Sequence, residues 1–272
     1  MRMPLPLLAL AAFAVPAMAG LPQMVVEQLD AVSVAGQRTA PNIARDKYRH
    51  PVQTLTFFGV RPNDTVVEIW PGGGYWTEML APYLYEKGKL ILVTPPGKAA
   101  DAIVAKMATN PVVYSRVSRG FFPSALGGAN RVGDGTADKV LTFRNVHNWR
   151  MGYMRDDKQD YSADAFREIY RMLKPGGVLG IEDHRLPESA SDERERSSGY
   201  VKVSTVRRLA EQAGFKFAGS SEINANRRDP ANWPKGVWTL PPSYAEGDVN
   251  RARYAEIGES DRMTLKFVKP AR

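Results

Sequence analysis

Val66-Val67-Glu68-Ile69-Trp70-Pro71-Gly72-Gly73-Gly74-Tyr75-Trp76 runs from an apolar, β-branched stretch through a glycine turn into a helical pattern. A run without polar alternation reads as a strand buried on both faces. Glycines at the turn let a ligand come close to the backbone. The helix N-terminus beyond the turn offers free N–H groups and the positive end of a dipole. In an open α/β sheet, ligands bind at that place, the carboxyl end of a strand.

Three more continuous runs, residues 89–93, 139–143 and 178–182, read as strands of the same kind. Helical patterns separate them. Trp76, Met79, Leu80, Tyr83 and Leu84 share one face, as do Ala165, Phe166, Ile169 and Leu173. Ser162 is the expected N-cap of the second of these helices and Pro175-Gly176-Gly177 its expected stop. A later helix is expected from a Ser204 cap through Val206, Leu209 and Ala213 to Gly214, and residues 215–220 and 263–268 read as the last strands. Strands alternating with amphipathic helices imply an α/β fold with a doubly wound, mostly parallel sheet.

Ahead of this core, residues 20–45 give weak signals and read as an N-terminal arm or helix, leaving residues 46–272 as one domain. Pro51 opens a short lid-like helix bearing Leu55, Phe57 and Phe58, which Gly59 ends. Residues 221–261 carry Pro230, Pro234, Pro241 and Pro242 together with Trp233, Trp238 and Tyr244. Their length and aromatic content suit either a lid over a ligand cleft or a flap that packs its tryptophans on the sheet.

The chain has 272 residues, 37 Lys+Arg, 29 Asp+Glu and a net charge of +8. The positive charge is spread without a Lys/Arg block, which suits anionic ligands or envelope surfaces and gives no argument for nucleic acid. Cysteine is absent, which excludes disulfides, thiolate metal sites and a cysteine nucleophile. Arg2, the apolar run from Leu5 to Val15 and Ala17-Met18-Ala19 have the layout of a cleavable secretory signal over residues 1–19, cut after Ala19; an uncleaved anchor is the alternative. A periplasmic or secreted protein is expected. No stretch reaches the length of a membrane span.

The acid of Glu68 followed by Gly72 and Gly74 resembles the first motif of class I S-adenosylmethionine-dependent methyltransferases, in which an acidic residue on strand one leads to a Gly-x-Gly-x-Gly loop. Residues 137–149 resemble that family's fourth strand and following loop, and Leu173 to Leu179 its turn into strand five. In order, the matches cover residues 46–268. Lys47-Tyr48-Arg49-His50-Pro51 with the glycine loop further resembles a group of exported bacterial methyltransferase-like proteins. The resemblance implies a seven-stranded Rossmann-like sheet and S-adenosylmethionine as cofactor. It assigns cofactor binding to Glu68, Trp70, Pro71, Gly72, Gly73, Gly74, Thr94 and Asn145. Two departures stand out. Trp70 takes the place of the first loop glycine, where an indole would fill space used by the cofactor's methionine part. Thr94-Pro95-Pro96 stands where the family places an acid for the ribose hydroxyls, with Asp134 as a more distant candidate near the adenine.

Methyl transfer from a sulfonium needs in-line positioning, and a base where the acceptor has a proton to lose. His147, His184 and Asp183, after the fourth and fifth of the family's strands, are the expected catalytic residues; each histidine could equally serve as a loop hydrogen-bonder. His50, His147 and His184 lie on separate segments without metal-ligand spacing, so no metal is expected. No Gly-x-Ser-x-Gly elbow follows a strand, which leaves a serine hydrolase unsupported. Glu182 and Asp183 are adjacent on a strand and point to opposite faces. Tyr75 and Trp149 are candidates for stacking on a planar ligand, and Trp76 reads as core. Two functions follow: a methyltransferase acting on a small molecule or envelope component, and an exported binding protein that keeps the fold without methylating.

Overall fold

The computed structural model describes residues 21–271; the expected leader and its cleavage point lie outside them. Eight strands form the sheet: β1 Thr65–Ile69, β2 Lys89–Thr94, β3 Ser118–Phe121, β4 Ala137–Phe143, β5 Leu173–Leu186, β6 Val201–Lys202, β7 Lys216–Ser221 and β8 Arg262–Val268. Seven of them follow the order β3-β2-β1-β4-β5-β8-β7, and the two-residue β6 pairs with the far end of β5. The first five strands pair in parallel, and β8 enters antiparallel between β5 and β7. The chain winds outward from β1 to β3, then returns to lay β4 on the other side of β1. Such a reversal opens a crevice at the carboxyl ends of β1 and β4.

Helices cover both faces because β1, β4 and β5 are apolar on both. On one face Phe166, Ile169, Val206 and Leu209 pack against Val67, Val140, Leu179 and Ile181. On the other, Leu29, Leu55, Phe58, Met79 and Leu80 pack against Val66, Leu92 and Leu141. A third cluster, around Leu186, Tyr200, Trp233, Leu240 and Tyr254, gives residues 222–261 an apolar centre of their own.

Several local expectations are corrected. The helix Pro51–Phe58 is no lid: Val52, Leu55 and Phe58 are buried in the core, and a Cβ on Gly180 of β5 would sit 2.7 Å from the Phe58 ring, so glycine is required there. Helix Ser162–Met172 begins with Ser162 rather than being capped by it. Asp160 Oδ1 accepts from both the Ser162 N–H (2.8 Å) and its hydroxyl (2.6 Å), since a carboxylate is the stronger acceptor for a helix start. That helix ends at Met172, and Leu173 already pairs with Ala137 as the start of β5. Helix Val203–Gln212 takes no cap from Ser204, whose N–H and hydroxyl both go to Glu188. Trp149 is completely buried among Phe122, Phe166 and Trp70, unavailable for stacking on a ligand. Among the described residues no helix is long and apolar enough to cross a membrane.

Candidate functional site

A cavity of about 280 Å³ opens at the carboxyl ends of β1, β4 and β5. Pro71, Gly72 and Gly73 of the glycine turn line its floor, and Gly72 (φ +57°) and Gly74 (φ +78°) adopt left-handed backbone conformations that favour glycine, but Gly74, expected to bind the cofactor, lies outside the lining against Lys106. A Cβ built on Gly72 or Gly73 would meet nothing within 4 Å, so the turn faces open space. Trp70, in the same turn, also has positive φ, +49°. It stands in a backbone position suited to glycine, at a cost of about 1–2 kcal/mol. Its indole turns to the side of the cleft, donating from Nε1 to the Phe122 carbonyl at 2.9 Å and meeting Trp149 edge-on at 6.2 Å.

Glu68, at the cavity floor, is wholly buried. One carboxylate oxygen accepts from the Thr77 hydroxyl at 2.8 Å and the other has no partner. Burial pushes its pKa from 4.5 up to about 8, against the Thr77 hydrogen bond, so the group is protonated at neutral pH.

The wall from β4 and β5 is built on Asp183. Its carboxylate accepts the N–H groups of Val146 (2.7 Å) and His147 (3.3 Å), starting the short helix Val146–Arg150, and the N–H of His184 (2.7 Å). Asp183 Oδ1 also sits 2.7 Å from His147 Nδ1. With the proton on Nδ1, His147 donates to the carboxylate and keeps Nε2 for the cavity. His184 Nδ1 meets the Ser260 hydroxyl at 2.5 Å, and the two imidazole rings lie 5.0 Å apart. Burial first, and then His147 and three arginines nearby, hold His184 well below its ordinary pKa, so it is neutral. The ligand-capable atoms of His147, Asp183 and His184 come within 4.8 Å of one another, although their spacing in sequence gives no metal pattern. The Asp183 oxygens are already committed to N–H donors. His50 is elsewhere, 3.2 Å from Asn224.

Asn145 lines the cavity but spends its amide on the Ile69 carbonyl (2.9 Å) and the Thr142 hydroxyl (3.2 Å), tying the end of β4 to that of β1. Thr94 is not with the others. It is buried and lines a separate pocket between β2 and β3. Asp134 is exposed and is not among the residues that line the cavity. Tyr75 lines the cavity, its hydroxyl bound to Asp46 at 2.6 Å, and Trp76 does so while stacked on Phe143 at 4.0 Å. Glu182 and Asp183 do face apart: Glu182 lies 2.8 Å from Arg262, while Asp183 serves His147.

A set of charged residues without a motif in the sequence closes the cavity. Arg45 and Arg49 come from the N-terminal segments, Arg144 from the end of β4, and Glu259 from just before β8. Glu259 meets Arg45 Nε at 2.6 Å, Arg49 Nε at 3.0 Å and Arg262 Nη1 at 2.9 Å. Burial alone would raise the Glu259 pKa, but Arg262, Arg49, Arg144 and Arg45 hold it at about 2. Val237, Trp238, Pro241 and Pro242 form the remaining wall, so residues 222–261 both pack on themselves and roof the cleft.

No protein-family model matches the chain, and no curated protein matches it in sequence. Solved structures do match in fold. A SAM dependent methyltransferase from Aquifex aeolicus superposes with TM-score 0.55 at 14% identity, covering 90% of this chain and 98% of that one. The 4+2 cyclase SpnF gives TM-score 0.58 at 16% identity, covering 92% and 93%. Phosphoethanolamine N-methyltransferase 2 of Haemonchus contortus, solved in complex with S-adenosyl-L-methionine, gives 0.54 at 14%, covering 92% of this chain and 61% of that one. At these identities the likeness is one of fold. The chain has the Rossmann-like α/β fold of class I methyltransferases.

Proposed function

We propose that the protein is an S-adenosylmethionine-dependent methyltransferase acting on a small molecule or envelope component, and that it works in the periplasm or outside the cell. The carrying observation is the open Gly72-Gly73 turn between β1 and its helix, at the point where strand order reverses, with the unpaired oxygen of Glu68 beneath it. Gly72, Gly73, Pro71 and Glu68 are the residues that would hold the cofactor, and open space at the turn fits that approach. When bound, S-adenosylmethionine supplies a methyl group made electrophilic by its sulfonium. His147 takes the acceptor's proton at Nε2, with Asp183 fixing the ring and balancing the imidazolium that forms. Neutral His184 and the Trp238 roof orient the acceptor and keep out water. The leader-like residues 1–19 support the proposed location.

Calorimetric titration with S-adenosylmethionine and S-adenosylhomocysteine tests the reading. Binding of both is expected; no heat and no thermal stabilisation at millimolar ligand refutes it.

Two observations favour a second reading, an exported binding protein that keeps the fold and holds another ligand. Trp70 stands at the left-handed position of the turn that suits glycine, and Thr94 opens onto a different pocket from the glycines. The ligand that co-purifies, identified by mass spectrometry, separates the two: an adenosyl sulfonium compound supports the enzyme, an unrelated molecule the binder.

A further inference from the structure

Guanidinium groups are seldom buried without matching acceptors, because removing their charge from water is costly. Here Arg49 has no exposed side-chain surface, yet only its Nε is paired, with Glu259; Nη1 and Nη2 are buried and unpartnered. Arg45 Nη2 and Arg144 Nε are likewise buried without a partner. All three arginines line the same cavity. With Arg262 they make four cations, against the carboxylates of Glu259 and Glu182. Asp183 is committed to His147 and backbone N–H groups, and burial keeps Glu68 protonated.

The positions are held at a cost. Arg144 has φ +63°, a left-handed conformation that an arginine adopts only when its surroundings impose it. Arg49 is fixed by the Tyr75 ring, 4.5 Å from its guanidinium carbon, and by Glu259. A planar fork of N–H donors, held in place and left unpaired in the wall of a cavity, matches the oxygens of a carboxylate or a phosphate.

We propose that Arg45, Arg49 and Arg144 form a binding site for an oxyanion, and that the acceptor is therefore a molecule carrying a carboxylate or phosphate group. The class of acceptor rests on the methyl-transfer reading above; the oxyanion site does not. Anchoring the charged end at the arginines leaves the rest of the acceptor in the cavity that His147 and His184 line.

The test titrates the protein, and its Arg45→Gln variant, with inorganic phosphate and with malonate, following the fluorescence of the cavity tryptophans and the melting temperature. S-adenosylhomocysteine and its decarboxylated analogue are titrated in parallel. Arg45 is the choice because its side chain reaches solvent at the rim. The expected result is saturable binding of phosphate or malonate, each displacing the other, weakened about tenfold or more in the variant, with S-adenosylhomocysteine affinity unchanged. Which of the two binds more tightly assigns the acceptor's group. If the wild-type protein binds S-adenosylhomocysteine but neither oxyanion at tens of millimolar, the site is refuted and methyl transfer stands. If it binds the oxyanions but not S-adenosylhomocysteine, the site stands and methyl transfer is refuted. If the variant loses affinity for S-adenosylhomocysteine but not for its decarboxylated analogue, the arginines hold the cofactor's own carboxylate and the proposal falls.

Discussion

Replacing Glu68 with glutamine should change how stability depends on pH. The Glu68 carboxyl is completely buried on β1, and burial lifts its pKa from 4.5 to about 8. Between those values the folded chain keeps a proton that the unfolded chain has released. The stability this group contributes is therefore fully present below about pH 4.5 and is lost as pH rises through about 8. Linkage gives about 1.4 kcal/mol per pH unit, so the whole window amounts to roughly 5 kcal/mol, a large share of a net stability of about 5–15 kcal/mol. Glutamine keeps the shape and the acceptor for Thr77 but does not titrate. Urea unfolding of both proteins at about pH 5, 6.5 and 8 measures the effect. The variant's stability relative to wild type should rise by several kcal/mol across the series. Glu259, depressed to about 2, and His184, also depressed, titrate in both proteins and cancel in the difference. A difference constant to within about 0.5 kcal/mol would mean that Glu68 is ionised in the folded protein, and the reasoning would fail.

Asp183→Asn should destabilise the protein by about 2–4 kcal/mol, because the new amide turns donors toward N–H groups that a carboxylate accepts. Urea midpoints check this, and a loss below about 0.5 kcal/mol would show that Asp183 does not hold the His147 wall. Trp70→Gly removes the indole from the turn and relieves about 1–2 kcal/mol of left-handed strain, against a larger loss of packing on Trp149. The binding-protein reading expects this variant to melt lower while gaining affinity for S-adenosylhomocysteine; unchanged affinity by calorimetry removes Trp70 as an obstacle. Gly236→Ala places a Cβ 2.1 Å from the Ser198 carbonyl oxygen at φ +57°. The expected result is a loss of more than about 2 kcal/mol and faster proteolysis in residues 222–261, read by limited digestion and mass spectrometry; wild-type resistance would mean this roof is not fixed there.

The strands were legible where burial on both faces leaves a continuous apolar run, as at Thr65–Ile69 and Lys89–Thr94. β3, Ser118–Phe121, was not, since it is a short edge strand with Ser118 and Arg119 exposed. The glycine turn was legible because positive φ leaves a mark in composition. Helix starts were misplaced where an acidic residue outside the helix, Asp160 or Glu188, took the serine's expected role. In the site, His147, His184 and Asp183 could be found because strand ends locate them. The arginines could not: Arg45 and Arg49 meet Glu259 across 214 and 210 positions of chain, and no period marks such a meeting. Arg144 carried a signal as the residue following the β4 run, and Arg49 only as part of the Lys47-to-Pro51 stretch, which gave it no role.

Those separations have a consequence for assembly. Glu259 lies just before β8, which enters the sheet between β5 and β7, so the charged end of the cavity is completed only after β8 has inserted. Contacts so remote in sequence form late because loop closure must precede them. A partly folded chain, even with β1 to β5 in place, has the glycine turn but no closed chamber. Ligand recognition thus reports that β8 and the segments bearing Arg45 and Arg49 have docked together, and a ligand that bridges the arginines should slow unfolding more than it speeds folding.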